Sequence, residues 1–124
     1  MESGLKITIE ELSEKIPVTV FHLRGWLDAQ SEEQFLGIAR DAYSKGARNL
    51  LLDLAEVDTL TSAGMRAIQK VYKIFTPEAE QFKVARVKMC NAPPQIYHVL
   101  GITGFLQNIP NYESTKAALD SFAG

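Results

Sequence analysis

The residues best placed to do chemistry in this chain lie close together. Asp53 to Ile68 reads Asp-Leu-Ala-Glu-Val-Asp-Thr-Leu-Thr-Ser-Ala-Gly-Met-Arg-Ala-Ile. Two adjacent hydroxyls, Thr61 and Ser62, precede the small residues Ala63 and Gly64, and cations follow at Arg66, Lys70 and Lys73. A helix opening at Ser62 turns about 100° per residue. That gathers Met65, Ile68, Val71, Tyr72 and Phe75 into one apolar arc and Arg66, Lys70 and Lys73 into another. Ser62 projects near the basic arc, one turn ahead of Arg66. A hydroxyl there stands at the positive end of a helix dipole with a guanidinium in reach, a setting that accommodates a phosphate carried on it. On residue types alone the plainer role, Thr61 or Ser62 as a simple N-cap, stays ahead. The basic stripe by itself reads equally well as a solvated helix face.

Elsewhere the sequence offers no catalytic constellation. It has no GxGxxG and no GxxxxGK[ST] phosphate loop. The two histidines, His22 and His98, are far apart and lack the spacing of a metal site, so both are read as structural. Cys90 is the single cysteine, which excludes an intramolecular disulfide, and at the end of an apolar stretch it reads as a buried thiol. The paired acids Glu32 and Glu33 fall in the first turn of a helix, where they complement its dipole. Trp26, beside a turn, is read as a packing or anchoring residue, with an exposed contact role as the alternative. The expectation is a chain that is not an enzyme and needs no metal and no cofactor.

The elements that must position Ser62 follow from hydrophobic periodicity. At 124 residues the expectation is one domain over 1–124, with residues 1–4 flexible. A composition 46% hydrophobic and 23% charged is that of a soluble globular chain. Lys plus Arg number 13 against 15 Asp plus Glu, which speaks against a nucleic-acid binder. No apolar run approaches the roughly 20 residues that span a bilayer, and no signal-peptide core follows Met1, so a cytoplasmic setting without membrane insertion is expected. Leu5, Ile7 and Ile9 alternate with polar residues as a half-buried strand does, and Glu11 to Lys15 reads as a turn. Pro17 opens a second alternating strand that ends at Gly25-Trp26-Leu27-Asp28, giving an antiparallel hairpin. Ser31 with Gln34 resembles a capping box for a helix stopped by Gly46.

Asn49 to Leu54 reads as a strand covered on both faces. Glu56 to Thr61 then reads as a polar turn, and a helix spans about Ser62 to Phe75, with Pro77 marking its end. Phe82 to Met89 reads as the next strand. Asn91-Ala92-Pro93-Pro94 reads as a cap with proline in the first turn of a short helix, whose apolar face is Ile96, Val99 and Leu100. Gly101 to Ile109 is a turn plus at most one short strand, and Ser114 opens a terminal helix. The implied fold is α/β: one mixed sheet with a parallel centre and an N-terminal antiparallel hairpin, and about four helices mainly on one face. Right-handed crossovers place Asp28 and Ser62 at the same end.

Three segments carry a family resemblance. Leu52-Asp53-Leu54, Val57-Asp58 and Leu60-Thr61-Ser62-Ala63-Gly64-Met65 resemble the signature of the STAS family of anti-sigma-factor antagonists, an apolar strand ending in an acid and then Asp-Ser-[Ser/Thr]-Gly-Leu opening a helix. Gly25-Trp26-Leu27-Asp28 is similar to the family's Gly-x-Leu-Asp, and Leu100 to Leu106 resembles its Leu-x-x-x-Gly-[Leu/Phe] segment. The resemblance implies a STAS-like fold and a serine, Ser62, phosphorylated by a partner kinase of the histidine-kinase-like ATPase type that is itself the anti-sigma factor. A phosphatase would be a further partner. Asp28 and Asp53 match the acids near that serine. The implied partner-facing set is Asp28, Asp53, Thr61, Ser62, Ala63, Gly64, Arg66, Gln69, Lys70 and Lys73. The chain departs from the pattern at Thr61, where the family has aspartate, and at Ala63, where it has a hydroxyl. Thr61 is therefore a second candidate acceptor. The departure lends some weight to an alternative, a constitutive STAS module acting as a signalling scaffold or as an accessory subunit of a lipid or anion transporter. A small-molecule sensor ranks behind both.

Overall fold

The computed structural model describes residues 4–13, 15–80 and 83–123. Nine regular elements follow one another: β1 (Leu5–Leu12), β2 (Val18–Leu27), α1 (Glu32–Ser44), β3 (Leu50–Leu60), α2 (Ser62–Phe75), β4 (Val87–Cys90), α3 (Pro94–Ile102), β5 (Asn111–Tyr112) and α4 (Thr115–Phe122). The strands form one sheet in the order β1-β2-β3-β4-β5. β1 and β2 pair antiparallel, and every later neighbour pairs parallel. This is the mixed sheet with a parallel centre that the hairpin and crossover pattern implies. No helix among the described residues is long and apolar enough to cross a membrane.

The run Leu50-Leu51-Leu52-Asp53-Leu54 supplies both cores because strand side chains alternate between faces. Leu50, Leu52 and Leu54 join Phe35, Ile68, Val71, Phe75 and Leu100 in a large cluster beneath α1, α2 and α3. Leu51 points the other way and packs with Val18, Val20, Cys90 and Ala118 beneath α4. Three helices thus share one face and α4 alone takes the other. Each fully buried leucine or phenylalanine contributes on the order of 1.5–3 kcal/mol. Buried Lys88 helps to seat α4: its Nζ donates to Ser121 Oγ at 2.8 Å and lies 4.4 Å from the Phe122 ring centroid.

Several boundaries differ from the sequence expectation. Glu56 to Thr61 is no turn. β3 continues to Leu60, because β2 also continues and pairs Arg24 with Glu56, Gly25 with Val57, Trp26 with Thr59 and Leu27 with Leu60 across two register shifts. This extension projects beyond β4, so its polar residues meet solvent and its strand character is hidden from a hydrophobic pattern. Glu11 likewise belongs to β1, where its carboxylate accepts from Thr19 Oγ1 at 3.0 Å. β4 begins only at Val87, and Phe82 lies outside the described residues, as do residues 1–3 of the expected flexible start. Gly4 is described, and its carbonyl accepts from Trp26 N–H at 3.1 Å. α3 extends to Ile102, and the last strand falls at Asn111–Tyr112.

Two expected caps are also replaced. Ser31 makes no side-chain cap on α1 and does not form a box with Gln34. Ser31 is fully buried and completes a box with Asp28 instead, its Oγ accepting from Asp28 N–H at 3.0 Å while Asp28 accepts from Ser31 N–H at 3.1 Å. Gln34 donates to the Leu5 carbonyl at 3.0 Å. Asn91 does not cap α3, whose N-cap is Pro93. Asn91 adopts φ 60° and donates to Asp53 at 3.1 Å and to Thr115 at 3.2 Å.

Cys90 is fully buried, and burial pushes its thiol up to about 12. The thiolate is the reactive species. Folded protein is therefore expected to resist iodoacetamide at mildly alkaline pH and to be alkylated once unfolded by urea, as intact-mass measurement would register.

Candidate functional site

The site is built where β2 and β3 hand the chain to α1 and α2. Leu27 and Leu60 are register partners at the ends of the two strands. Thr61 N–H donates to the Leu27 carbonyl at 3.0 Å, and the Thr61 hydroxyl donates to the same oxygen at 3.4 Å. That hydroxyl also accepts from Gly64 N–H at 3.2 Å and so caps α2. Gly64 rests directly on Leu27: a Cβ at Gly64 would come within 2.1 Å of the Leu27 carbonyl oxygen. Only glycine lets the helix start this close to the strand. Asp28, the residue after β2, caps the turn into α1 by accepting from Gln30 and Ser31 N–H, each at 3.1 Å. Asp28 and Ser62 thus stand at one end of the sheet, as the crossover argument requires.

The geometry separates the two adjacent hydroxyls. Thr61 is half-buried, with its proton on Leu27 and its lone pair on Gly64. Ser62 is exposed. α2 has no acidic residue in its first turn, so the partial positive charge of its N-terminus is not offset there. Arg66, Gln69, Lys70 and Lys73 are all exposed on this helix, while Ala67, Ile68, Val71 and Phe75 face the core. Lys70 reaches Glu32 of α1 at 2.9 Å. Arg66 makes no ion pair among the described residues. Met65, assigned to the apolar arc, is only half-buried.

Asp53 is not part of this arrangement. The Leu52-Asp53-Leu54 alternation turns it to the α4 face, opposite the face that carries α2. There its carboxylate meets His22 Nδ1 at 2.7 Å and Asn91 at 3.1 Å, and accepts from Ala55 N–H at 3.1 Å. The match between Asp53 and an acid beside the serine is one of sequence position and not of side-chain contact. His22 Nε2 meets Glu10 at 2.8 Å, so both ring nitrogens face carboxylates. This is the arrangement an imidazolium satisfies.

The structure settles Trp26 toward its exposed alternative and adds Ile102, which the pattern missed. Trp26 is 53% exposed and Ile102 is 71% exposed. Ile102 adjoins Thr103, whose hydroxyl lies 4.0 Å from the Met65 sulfur, so the end of α3 borders the start of α2. The available signal was phase: Ile96 and Leu100 are the buried pair of α3, and Ile102 falls on the opposite side of the helix.

Comparison with known proteins agrees with this architecture. A family model described as the STAS domain matches residues 10–118. BtrV of Bordetella bronchiseptica, a candidate anti-sigma factor antagonist, is 27% identical over 118 residues, 95% of each chain. An anti-sigma factor antagonist from Mycobacterium paratuberculosis superposes with a TM-score of 0.80 at 18% identity, covering 97% of this chain and 95% of that one. The Bacillus cell fate determinant SpoIIAA in its phosphorylated form gives a TM-score of 0.66 at 17% identity, covering 94% and 98%.

The His22 cluster carries a sign-definite consequence. Burial pushes the imidazole down. The hydrogen bonds to Glu10 and Asp53, with the charges of both, outweigh it and raise His22 above 6.5. Its stabilising effect is therefore fully present below 6.5 and is lost as pH rises through the raised value. Urea midpoints measured from mildly acidic to alkaline pH should show the advantage of the native chain over His22→Gln shrinking across that window. A constant difference would contradict the assignment.

Proposed function

The chain belongs to the STAS domain family, and from that premise we propose that it is an anti-sigma-factor antagonist working by partner switching. In the unphosphorylated state it docks an anti-sigma factor through the start and exposed face of α2. Phosphorylation of Ser62 by that partner, a serine kinase of the histidine-kinase-like ATPase type, releases it, and a phosphatase restores binding. The kinase brings ATP and magnesium; the chain supplies the hydroxyl and the surface. The observation that carries this reading is the division of labour at the helix start. Thr61 is committed to the cap, and Ser62 stands free in solvent ahead of Arg66.

A phosphate on Ser62 adds a charge of about -1.5 to -2. The uncompensated α2 N-terminus and Arg66 can hold it without unfolding the domain. The cost then falls on the docked partner, which would have to desolvate a new anion. Ile102 and half-buried Met65 extend the surface with apolar area of the kind that anchors a protein partner. Thr61 in place of the family's aspartate favours the constitutive module as the second reading. The cap that a carboxylate could make at that position is nonetheless made here by the Thr61 hydroxyl.

Reversing Arg66 and Lys70 to glutamate together should weaken partner binding by about tenfold or more, largely through slower association. Titration calorimetry and surface plasmon resonance would measure this, with unfolding midpoints changed little because both side chains are exposed. Unchanged affinity would remove the α2 face from the interface.

The switch itself is tested by mass spectrometry of protein from its native cells and by two substitutions. Phosphate is expected on Ser62. Ser62→Ala should bind the anti-sigma factor permanently, and Ser62→Asp, with a single charge, should bind measurably less well. Phosphate on Thr61 alone would reassign the acceptor. No phosphate on either residue, with an intact partner complex, would favour the constitutive module.

A further inference from the structure

β1 is an edge of the sheet and eight residues long, whereas β5, the other edge, has only two. Trp26 N–H donates to the Gly4 carbonyl, and the register of β1 on β2 runs without interruption from Leu5–Gly25 to Leu12–Val18. In an antiparallel ladder, hydrogen-bonded and non-hydrogen-bonded pairs alternate. The even residues of β1 therefore bond inward to β2, and the odd residues Leu5, Ile7, Ile9 and Glu11 direct their backbone groups outward. Gln34 of α1 covers the edge at Leu5 by donating to its carbonyl at 3.0 Å. Among the described residues nothing covers the stretch from Ile7 to Glu11, and Ile9 within it is 49% exposed. Open edges of this kind are templates for another strand.

We propose that this edge pairs with β1 of a second copy of the chain, antiparallel about Thr8. That register places Ile7 opposite Ile9 of the second copy, twice, as hydrogen-bonded pairs. It places Lys6 opposite Glu10 of the second copy, also twice, as the closer non-hydrogen-bonded pairs. Among the described residues exposed Lys6 has no ion partner, and exposed Glu10 has only His22 as side-chain partner. The charges select the register. The neighbouring registers with outward groups in phase set Lys6 against Thr8 or Leu12. The next ones set Lys6 against Lys6 or Glu10 against Glu10, and opposed like charges are destabilising. Lysine and glutamate on an edge commonly discourage pairing; here they are complementary in one alignment of the strand with itself. The two-fold leaves the α2 surfaces clear, because α1 stands between them and the edge, tied to β1 through Gln34 and to α2 through Glu32 and Lys70. A dimer would present two partner surfaces at once.

Sedimentation velocity of the full chain across concentration and salt tests this, together with hydrogen exchange at the Ile7 and Ile9 amides. A salt-sensitive dimer is expected, with both amides slowing as it forms. Lys6→Glu should weaken dimerisation by about tenfold, Glu10→Lys likewise, and the double exchange should restore it. Circular dichroism confirms that each variant is folded. Lys6→Glu is the cleaner single change, since Glu10 also contacts His22. A chain that stays monomeric at its highest soluble concentration would overturn the proposal, as would a dimer indifferent to both reversals. Amides that slow only when a different protein is added to monomer would assign the edge to a foreign strand and likewise overturn it.

Discussion

The contact of Gly64 with the Leu27 carbonyl is the constraint on which the functional end of this molecule depends. One oxygen at the end of β2 receives the backbone and hydroxyl protons of Thr61 and lies where a Cβ of Gly64 would sit. This ties the start of α2 to the turn that opens α1, and it leaves Ser62 as the exposed hydroxyl beside a committed one. Gly25 makes a related concession two residues before Leu27 on β2. At φ 102° it lets the Gly4 carbonyl approach a position where a Cβ would come within 2.0 Å. Glycine is the residue that tolerates both close approach and positive φ. The small residues of the two motifs are thus explained by packing between strand ends before any binding role is invoked.

The alternation of β3 divides the chemistry of the chain between two faces. Leu50, Leu52 and Leu54 build the core that supports α2, and Asp53 is thereby turned to the other side, where it holds His22 and Asn91. The strand that carries the family-like signature therefore serves two separate polar systems. One is the helix start with its exposed serine and cations. The other is a bridge of Glu10, His22, Asp53 and Asn91 that ties β1, β2, β3 and the segment after β4 together.

The two helix starts at the functional end differ in charge. α1 carries Glu32 and Glu33 in its first turn, and α2 carries no acid there. Side-chain carboxylates stabilise the first helix through its dipole, while the second keeps its N-terminal charge available. The cations on α2 differ in their commitments: Lys70 is shared with Glu32, whereas Arg66 makes no ion pair among the described residues.

Much of this was legible in the linear sequence, because much of it is local. The period-two pattern of β1 and β2, the helix from Ser62 to Phe75 and the glycine stop at Gly46 each follow from neighbouring residues and their allowed backbone angles. Topology rules then placed Asp28 and Ser62 at one end. Long-range register decided the rest. The polar extension of β3 exists because β2 continues beside it, and an overhang facing solvent has no hydrophobic signature to read. Ser31 was drawn from an expected cap on α1 into a buried box with Asp28, because the short turn between them closes a nearer donor and acceptor pair. Asp53 reads as a neighbour of the serine in sequence, yet strand alternation sets it on the opposite face. Sequence alone determined which residues could start, stop and face a core. Only the tertiary structure decided which of two adjacent hydroxyls is spent on the cap, since that depends on a carbonyl 34 residues away in the chain.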